Sequence, residues 1–135
     1  MSDRLRAIVE ELDIAPDDHV LEIGCGHGVA ATLVCERLAG GGGRLTAIDR
    51  SAKMIAAAVR RNAVHVDAGR AEFLVARLED LDLGERRFDV VFAVRVGLFD
   101  RDPQRARALV EPWFKPTGRL HTVFDPPAQT RPRRR

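Results

Sequence analysis

Two spacings of apolar side chains alternate along this chain, one typical of helices and the other of buried strands. The helical spacing is clearest near the start, where Leu5, Ile8 and Val9 recur on one face. Ser51 has the side chain of a good N-cap, and Gly69 is a typical stop signal for the helix between them. The spacing predicts four helices, over residues 3–12, 29–38, 53–68 and 103–110.

Short apolar runs between these helices predict strands. The segment Phe88–Val94 is almost wholly apolar, as expected for a strand that is covered on both faces. The sequence KPTG at residues 115–118 is typical of a turn before the last strand. We predict five strands, at residues 19–23, 44–48, 72–76, 88–94 and 119–124. Because strands alternate with helices, the pattern favours an α/β domain with a parallel sheet.

Composition fits one globular domain, which we expect over residues 1–125, followed by a disordered Pro- and Arg-rich tail over residues 126–135. The formal charge of the 135 residues is +2, but four arginines of the tail contribute to it, and the remainder is slightly acidic. A nucleic-acid partner is therefore not favoured. No apolar run is long enough to span a membrane and no signal peptide is evident, so we expect a cytoplasmic protein without a membrane partner.

The two cysteines, Cys25 and Cys35, lie ten residues apart, without a C-x-x-C motif or histidines at the spacing of a zinc site. We interpret both as free structural thiols, since buried cysteines usually behave as small hydrophobic side chains. No metal site is predicted.

A glycine-rich loop follows the first predicted strand, with Gly24, Gly26 and Gly28 at alternate positions. A dinucleotide site needs the pattern G-x-G-x-x-G or A, and Val29 occupies the position where its third small residue should stand. A nicotinamide-dependent dehydrogenase is therefore disfavoured. Asp49 ends the second strand, where a carboxylate can accept hydrogen bonds from two ribose hydroxyls.

With these features in place, the chain resembles the class I S-adenosylmethionine-dependent methyltransferases over roughly residues 5–125. VLEIGCGHG resembles their first motif, LTAIDRS their ribose-binding segment, RFDVVFAVRV their fourth strand, and FKPTGRLHTVF their turn and fifth strand, in family order. The segments FAVRVGLF and FDPP are similar to the corresponding segments of an actinobacterial branch of small-molecule methyltransferases. The resemblance implies a Rossmann-like, doubly wound sheet of order 3-2-1-4-5 and S-adenosylmethionine as cofactor.

The resemblance also implies roles for individual residues. Glu22 would face the methionine end of the cofactor, and the loop Gly24, Cys25, Gly26, His27 and Gly28 would approach it mainly through main-chain groups. Glycine suits such a loop because a Cβ would collide with a ligand or require disfavoured dihedral angles. Asp49 would bind the ribose, with Arg50 beside the adenine.

One position departs from the family pattern. Where the family often has Gly-Asp-Ala after the third strand, this chain has Ala76-Arg77-Leu78. Arg77 cannot accept a hydrogen bond from the adenine amino group, so adenine recognition would fall to the Leu78 main chain, with Glu79 or Asp80 as alternative acceptors.

Methyl transfer from a sulfonium is an in-line displacement that needs positioning more than a dedicated catalytic residue. Arg95, just after the fourth strand, is our candidate for the acceptor side, because ligands of such sheets bind at the carboxyl ends of the strands. We expect a small-molecule acceptor. The alternatives are a cofactor-binding module without turnover and, less favoured, a nucleic-acid methyltransferase recruited by the arginine tail. Asp125-Pro126-Pro127 follows the wrong strand and lacks the aromatic residue of a base-binding motif.

The resembled fold continues beyond its fifth strand with a helix and an antiparallel strand pair, which this sequence lacks. The fifth strand is therefore predicted to be a sheet edge, which is prone to association. Three alternatives stay open: the edge pairs with a second copy in a homodimer, the chain is a truncation with impaired activity, or the last ten residues come from a shortened reading frame.

Overall fold

The computed structural model describes residues 3–124, which form a five-stranded sheet in the order β3-β2-β1-β4-β5. All neighbouring strands within it are parallel. The predicted fold class and strand order are therefore confirmed. The strands are β1 (His19–Ile23), β2 (Arg44–Asp49), β3 (Ala71–Val75), β4 (Phe88–Val94) and β5 (Phe114–Val123).

Helices cover both faces of this sheet. They are α1 (Asp3–Glu11), α2 (Val29–Leu38), α3 (Ala52–Arg61), α4 (Ala63–Asp67), α5 (Gly97–Arg101) and α6 (Pro103–Val110), with short 3₁₀ turns at Leu78–Asp80 and Glu111–Trp113. Helix α5 has no counterpart in the predicted set, because five residues are too few to display a helical period. None of the helices in residues 3–124 is long and apolar enough to cross a membrane.

The sheet separates two apolar cores. One contains side chains of α1, α2 and α3, such as Val9 and Val34, packed on the sheet. The other contains Leu21 and Val91 of the sheet together with Phe99 and Trp113. Strand β4 contributes to both cores, which explains why its sequence is apolar throughout.

The single helix predicted over residues 53–68 is wrong, because the helix breaks at Asn62 into α3 and α4. Asn62 is buried at this break, with 1% of its surface exposed. Its amide donates to the main-chain oxygens of Gly28 and Ala58, and its Oδ1 accepts from Thr32. These bonds satisfy a buried polar side chain and compete with a continuous helix at this point.

The predicted turn at residues 115–118 lies within β5 instead of before it. The strand pairing moves from Phe88 opposite Phe114 to Val90 opposite Arg119, so the intervening residues form a bulge. A Cβ on Gly118 would lie 2.8 Å from the Phe88 oxygen, which makes glycine necessary where the bulge approaches β4. Within residues 3–124, β5 pairs with β4 alone and is a sheet edge, as predicted. The Asp125-Pro126-Pro127 motif and the arginine tail lie outside the described residues.

Candidate functional site

The glycine loop after β1 is fastened to the end of β2. The main-chain nitrogens of Gly24 and Cys25 both donate to the oxygen of Ile48, over 2.8 and 2.9 Å. Gly24 has a φ of +74°, and a Cβ there would lie 2.6 Å from Val96 Cγ2. Only glycine fits this position without moving Val96 in the segment after β4.

Asp49 joins the two loops that frame the site. Its Oδ1 accepts from the main-chain nitrogen of Gly26 and its Oδ2 from that of Ser51, each over 3.0 Å. A carboxylate offers about four lone-pair directions, so both oxygens keep capacity for one more donor. The side chain is half-buried and lines a cleft. It is therefore a structural link between the two loops whose carboxylate oxygens retain hydrogen-bonding capacity at the cleft.

Glu22 lies on β1 beneath the loop and is 3% exposed. Its Oε1 has no hydrogen-bond partner within the described part of the chain. Burial, reinforced by the negative charge of Asp49, raises the pKa of the Glu22 carboxyl to about 8. At neutral pH the carboxyl is therefore mostly protonated. A buried acid with an unsatisfied oxygen is an unusual arrangement, and such groups cluster at functional sites.

A cleft of about 550 Å³ opens at the carboxyl ends of the strands, within the usual size range of small-molecule sites. It brings together six of the residues predicted from the sequence, namely Gly24, Asp49, Arg50, Arg77, Leu78 and Arg95. It also contains residues that the sequence did not indicate as part of a site, among them Ser51, Val96, Gly97, Leu98 and Arg101. Most of these belong to α5 and the segment before it, where the sequence offered no periodic signal.

The other predicted loop residues do not line the cleft. Gly28 faces the interior, where a Cβ would lie 2.7 Å from Asn62 Nδ2. His27 is exposed, and Arg61 donates to both its main-chain oxygen and its ring nitrogen. Cys25 is buried, and burial followed by the charges of Glu22 and Asp49 raises the pKa of its thiol far above the usual value.

The segment after β3 forms one wall of the cleft. The main-chain nitrogen of Ala76 donates to the main-chain oxygen of Asp49 over 3.0 Å, which holds this wall against β2. Leu78 is buried and supplies apolar surface, whereas Arg77 is exposed and its Nη2 lies 3.8 Å from Glu79 Oε2. The departure from the family pattern at Arg77 therefore places a cation at this wall, and the Glu79 carboxylate, one of the two alternative acceptors, also lines the cleft.

A parallel sheet of this order, with a glycine loop after β1 and a carboxylate at the end of β2, defines a Rossmann-like domain with its ligand cleft at the strand ends. Residues 20–118 match the family model described as a methyltransferase domain, and the chain belongs to this family. No curated protein matches the sequence significantly.

Solved structures of similar fold include the [4+2]-cyclase SpnF, with 26% identity and a TM-score of 0.72 over 87% of this chain and 43% of that chain. Coclaurine N-methyltransferase bound to N-methylheliamine and SAH is 18% identical, with a TM-score of 0.72 over 87% of this chain and 33% of that one. A SAM-dependent methyltransferase from Thiobacillus denitrificans in complex with S-adenosyl-L-homocysteine is 20% identical, with a TM-score of 0.70, covering 89% of this chain and 47% of its own. The chain thus spans less than half the length of these proteins.

Proposed function

We propose that this domain binds S-adenosylmethionine in the cleft and transfers its methyl group to a small-molecule acceptor. The observation that carries the proposal is the Asp49 carboxylate, which lies at the end of β2 beside the glycine loop and retains hydrogen-bonding capacity toward the cleft. Family membership supports it, as do the neighbours whose structures contain S-adenosylhomocysteine.

The residues fit the parts of this cofactor. Asp49 would accept from the ribose hydroxyls, and buried Leu78 would offer apolar surface to the adenine, with Arg50 and Arg77 at the rim. The open main chain at Gly24 suits the aminoacyl part. Glu22 provides a buried carboxyl with one unpaired oxygen beneath the loop, and the positive charge of a methionine ammonium nearby would favour its ionised form. Gly26, Cys25, His27 and Gly28 would shape the loop through their main chain.

The cofactor supplies an electrophilic methyl group on a positively charged sulfur. Once bound, it would pass this methyl group from sulfur to an acceptor nucleophile aligned with the carbon–sulfur bond, and S-adenosylhomocysteine would be the other product. Alignment at about 3–3.5 Å between the reacting atoms accounts for most of the acceleration in such a reaction. The protein therefore needs to hold donor and acceptor and to exclude water, and Arg95 lies at the cleft on the side where the acceptor would enter.

Calorimetric titration with S-adenosylhomocysteine tests the binding step. We expect saturable heat with the wild-type chain and a loss of affinity of about tenfold or more in Asp49→Asn, because the substitution removes a charge and one acceptor oxygen. Asp67→Asn, at the exposed end of α4, serves as the matched control and should bind normally. A folded wild-type chain that gives neither heat nor a melting shift would contradict the proposal.

A cofactor-binding domain without methyl turnover is the second candidate. It is favoured by the neighbour of 26% identity, which is described as a [4+2]-cyclase. Radiolabelled methyl transfer to a panel of small acceptors separates the two. Tight cofactor binding with no labelled product from any acceptor favours the second candidate, and labelled product establishes the first.

A further inference from the structure

Positive side chains outnumber negative ones in the cleft. Its charged lining residues are Asp49, Arg50, Arg77, Glu79, Arg95 and Arg101. Four of these side chains are arginines and two are carboxylates, and Glu79 lies 3.8 Å from Arg77. The cleft therefore has an excess of positive charge that a ligand can neutralise.

Two of these arginines, Arg95 and Arg101, lie on the segment that follows β4, away from the β2 and β3 walls that carry Arg50 and Arg77. In the proposed function, the ribose and adenine occupy the β2 and β3 side. The arginines after β4 then lie on the side of the cleft that is left for the acceptor.

Arg101 lines the cleft, and its guanidinium lies against Gly97, one turn earlier in α5. A Cβ on Gly97 would collide with Arg101 Nη1, so the guanidinium occupies the space that a side chain at 97 would need. Side chains of a helix tilt toward its N-terminus, and a residue therefore meets the one four positions before it. The missing side chain of Gly97 makes room for the charged group of Arg101 at the cleft wall.

Arg95 is held in an uncommon conformation at the same wall. Its φ is +59°, in the left-handed region that residues other than glycine rarely adopt, and its main-chain nitrogen donates to the Val123 oxygen over 2.6 Å. Strained residues of this kind persist where the surrounding structure holds them, and they are frequent at binding sites. The link to β5 fixes where the Arg95 side chain leaves the main chain.

We propose that the acceptor is a small molecule carrying a carboxylate or phosphate group, and that Arg101 and Arg95 together bind this group. The inference rests on the proposed function, because it takes the cofactor to occupy the β2 and β3 side. A guanidinium offers paired donors that match the oxygens of either anion. The sulfonium of the cofactor adds another positive charge to the cleft, and an anionic acceptor offsets this charge where a neutral one does not.

The test uses the full chain saturated with S-adenosylhomocysteine and matched probes that differ in charge: 4-hydroxybenzoate against 4-hydroxybenzamide, and phenyl phosphate against phenol. We expect the anion of at least one pair to bind about tenfold or more tightly than its neutral partner, as charge-assisted hydrogen bonds to arginine require. The pair with the larger ratio distinguishes a carboxylate site from a phosphate site. Equal affinities within both pairs, or no binding by either anion, overturn the proposal.

Variants then locate the site. Arg101→Gln should abolish the preference for the anion, and Gly97→Ala should weaken it by displacing the guanidinium, whereas Arg105→Gln on the exposed face of α6 should leave it unchanged. Each variant is first titrated with S-adenosylhomocysteine, whose affinity should stay within a few-fold of the wild-type value. An anion preference that survives in Arg101→Gln overturns the assignment, while loss of S-adenosylhomocysteine binding by the wild-type chain counts against the proposed function instead.

Discussion

Asn62 donates a hydrogen bond from its side-chain amide to the main-chain oxygen of Gly28 over 3.1 Å, and this bond ties the end of α3 to the start of α2. The same amide nitrogen lies where a side chain at position 28 would begin, at 2.7 Å from a Cβ built there. The third glycine of the loop is therefore required for packing within the protein, behind the cleft and not at its surface.

Gly28→Ala should destabilise the fold by about 3 kcal/mol or more, because left-handed strain adds to a steric collision in a buried position. Gly69→Ala is the matched control, since Gly69 has a similar φ of +75° but nothing within 4 Å of its Cβ position. The Gly69→Ala variant should lose only about 1–2 kcal/mol of its free energy of unfolding, because it suffers the left-handed strain without a collision. Urea denaturation measures both free energies of unfolding. Equal losses in the two variants would show that the collision with Asn62 is relieved without cost.

Asn62→Ala should destabilise the chain by about 2–4 kcal/mol, because it removes bonds to Gly28, Ala58 and Thr32 from a buried site. In the Asn62→Ala background, Gly28→Ala should lower the free energy of unfolding by less than it does alone. The reason is that the Asn62 amide nitrogen, with which the new Cβ would collide, is absent. Some cost persists, because a Cβ at 28 also approaches Ala58 at 3.0 Å. A double-mutant cycle measures this coupling, and strictly additive losses would argue against it.

Glu22→Gln should change how stability depends on pH. The pKa of Glu22 in the folded state is about 8, above the ordinary value of 4.5. Between these pH values the folded state binds more protons than the unfolded state. Stability therefore falls as pH rises from about 4.5 to 8. The neutral amide removes this loss and should stabilise the chain at pH 8–9 by about 4–5 kcal/mol relative to the wild type. Urea unfolding from pH 5 to 9 measures it, with exposed Glu11→Gln as control. A wild-type profile that rises with pH, or a parallel profile for Glu22→Gln, would be inconsistent with the buried acid.

Both thiols should resist modification in the folded chain. Burial raises the pKa of Cys35 to about 12 and raises that of Cys25 further, so almost no thiolate exists at pH 8. With an aromatic disulfide reagent we expect no reaction over minutes in buffer and complete reaction of both cysteines in urea. Cys25→Ser and Cys35→Ser assign the signal to each position. Rapid reaction of either thiol in the native chain would mean that its segment opens readily.

Much of the architecture of the domain could be predicted from its amino-acid sequence. The apolar runs of β1, β2 and β4 and the intervening helical spacing predicted a parallel sheet, and the motifs of the glycine loop and Asp49 indicated its strand order by resemblance. These features are local: a buried strand needs consecutive apolar residues, and a loop that approaches a ligand closely needs glycine. Six of the residues predicted for the site meet in one cleft, because parallel strands bring their carboxyl ends to one edge of the sheet.

The sequence alone determined the class of sheet, its loop and the carboxylate at the end of β2. Only the tertiary structure decided that Asn62 breaks a helix to bond with Gly28, that residues 115–118 bulge from an edge strand, and that Gly97 makes room for the guanidinium of Arg101. Each of these depends on what a second segment places beside the first, and on whether a buried polar group finds its partner there. No spacing within one segment contains that information.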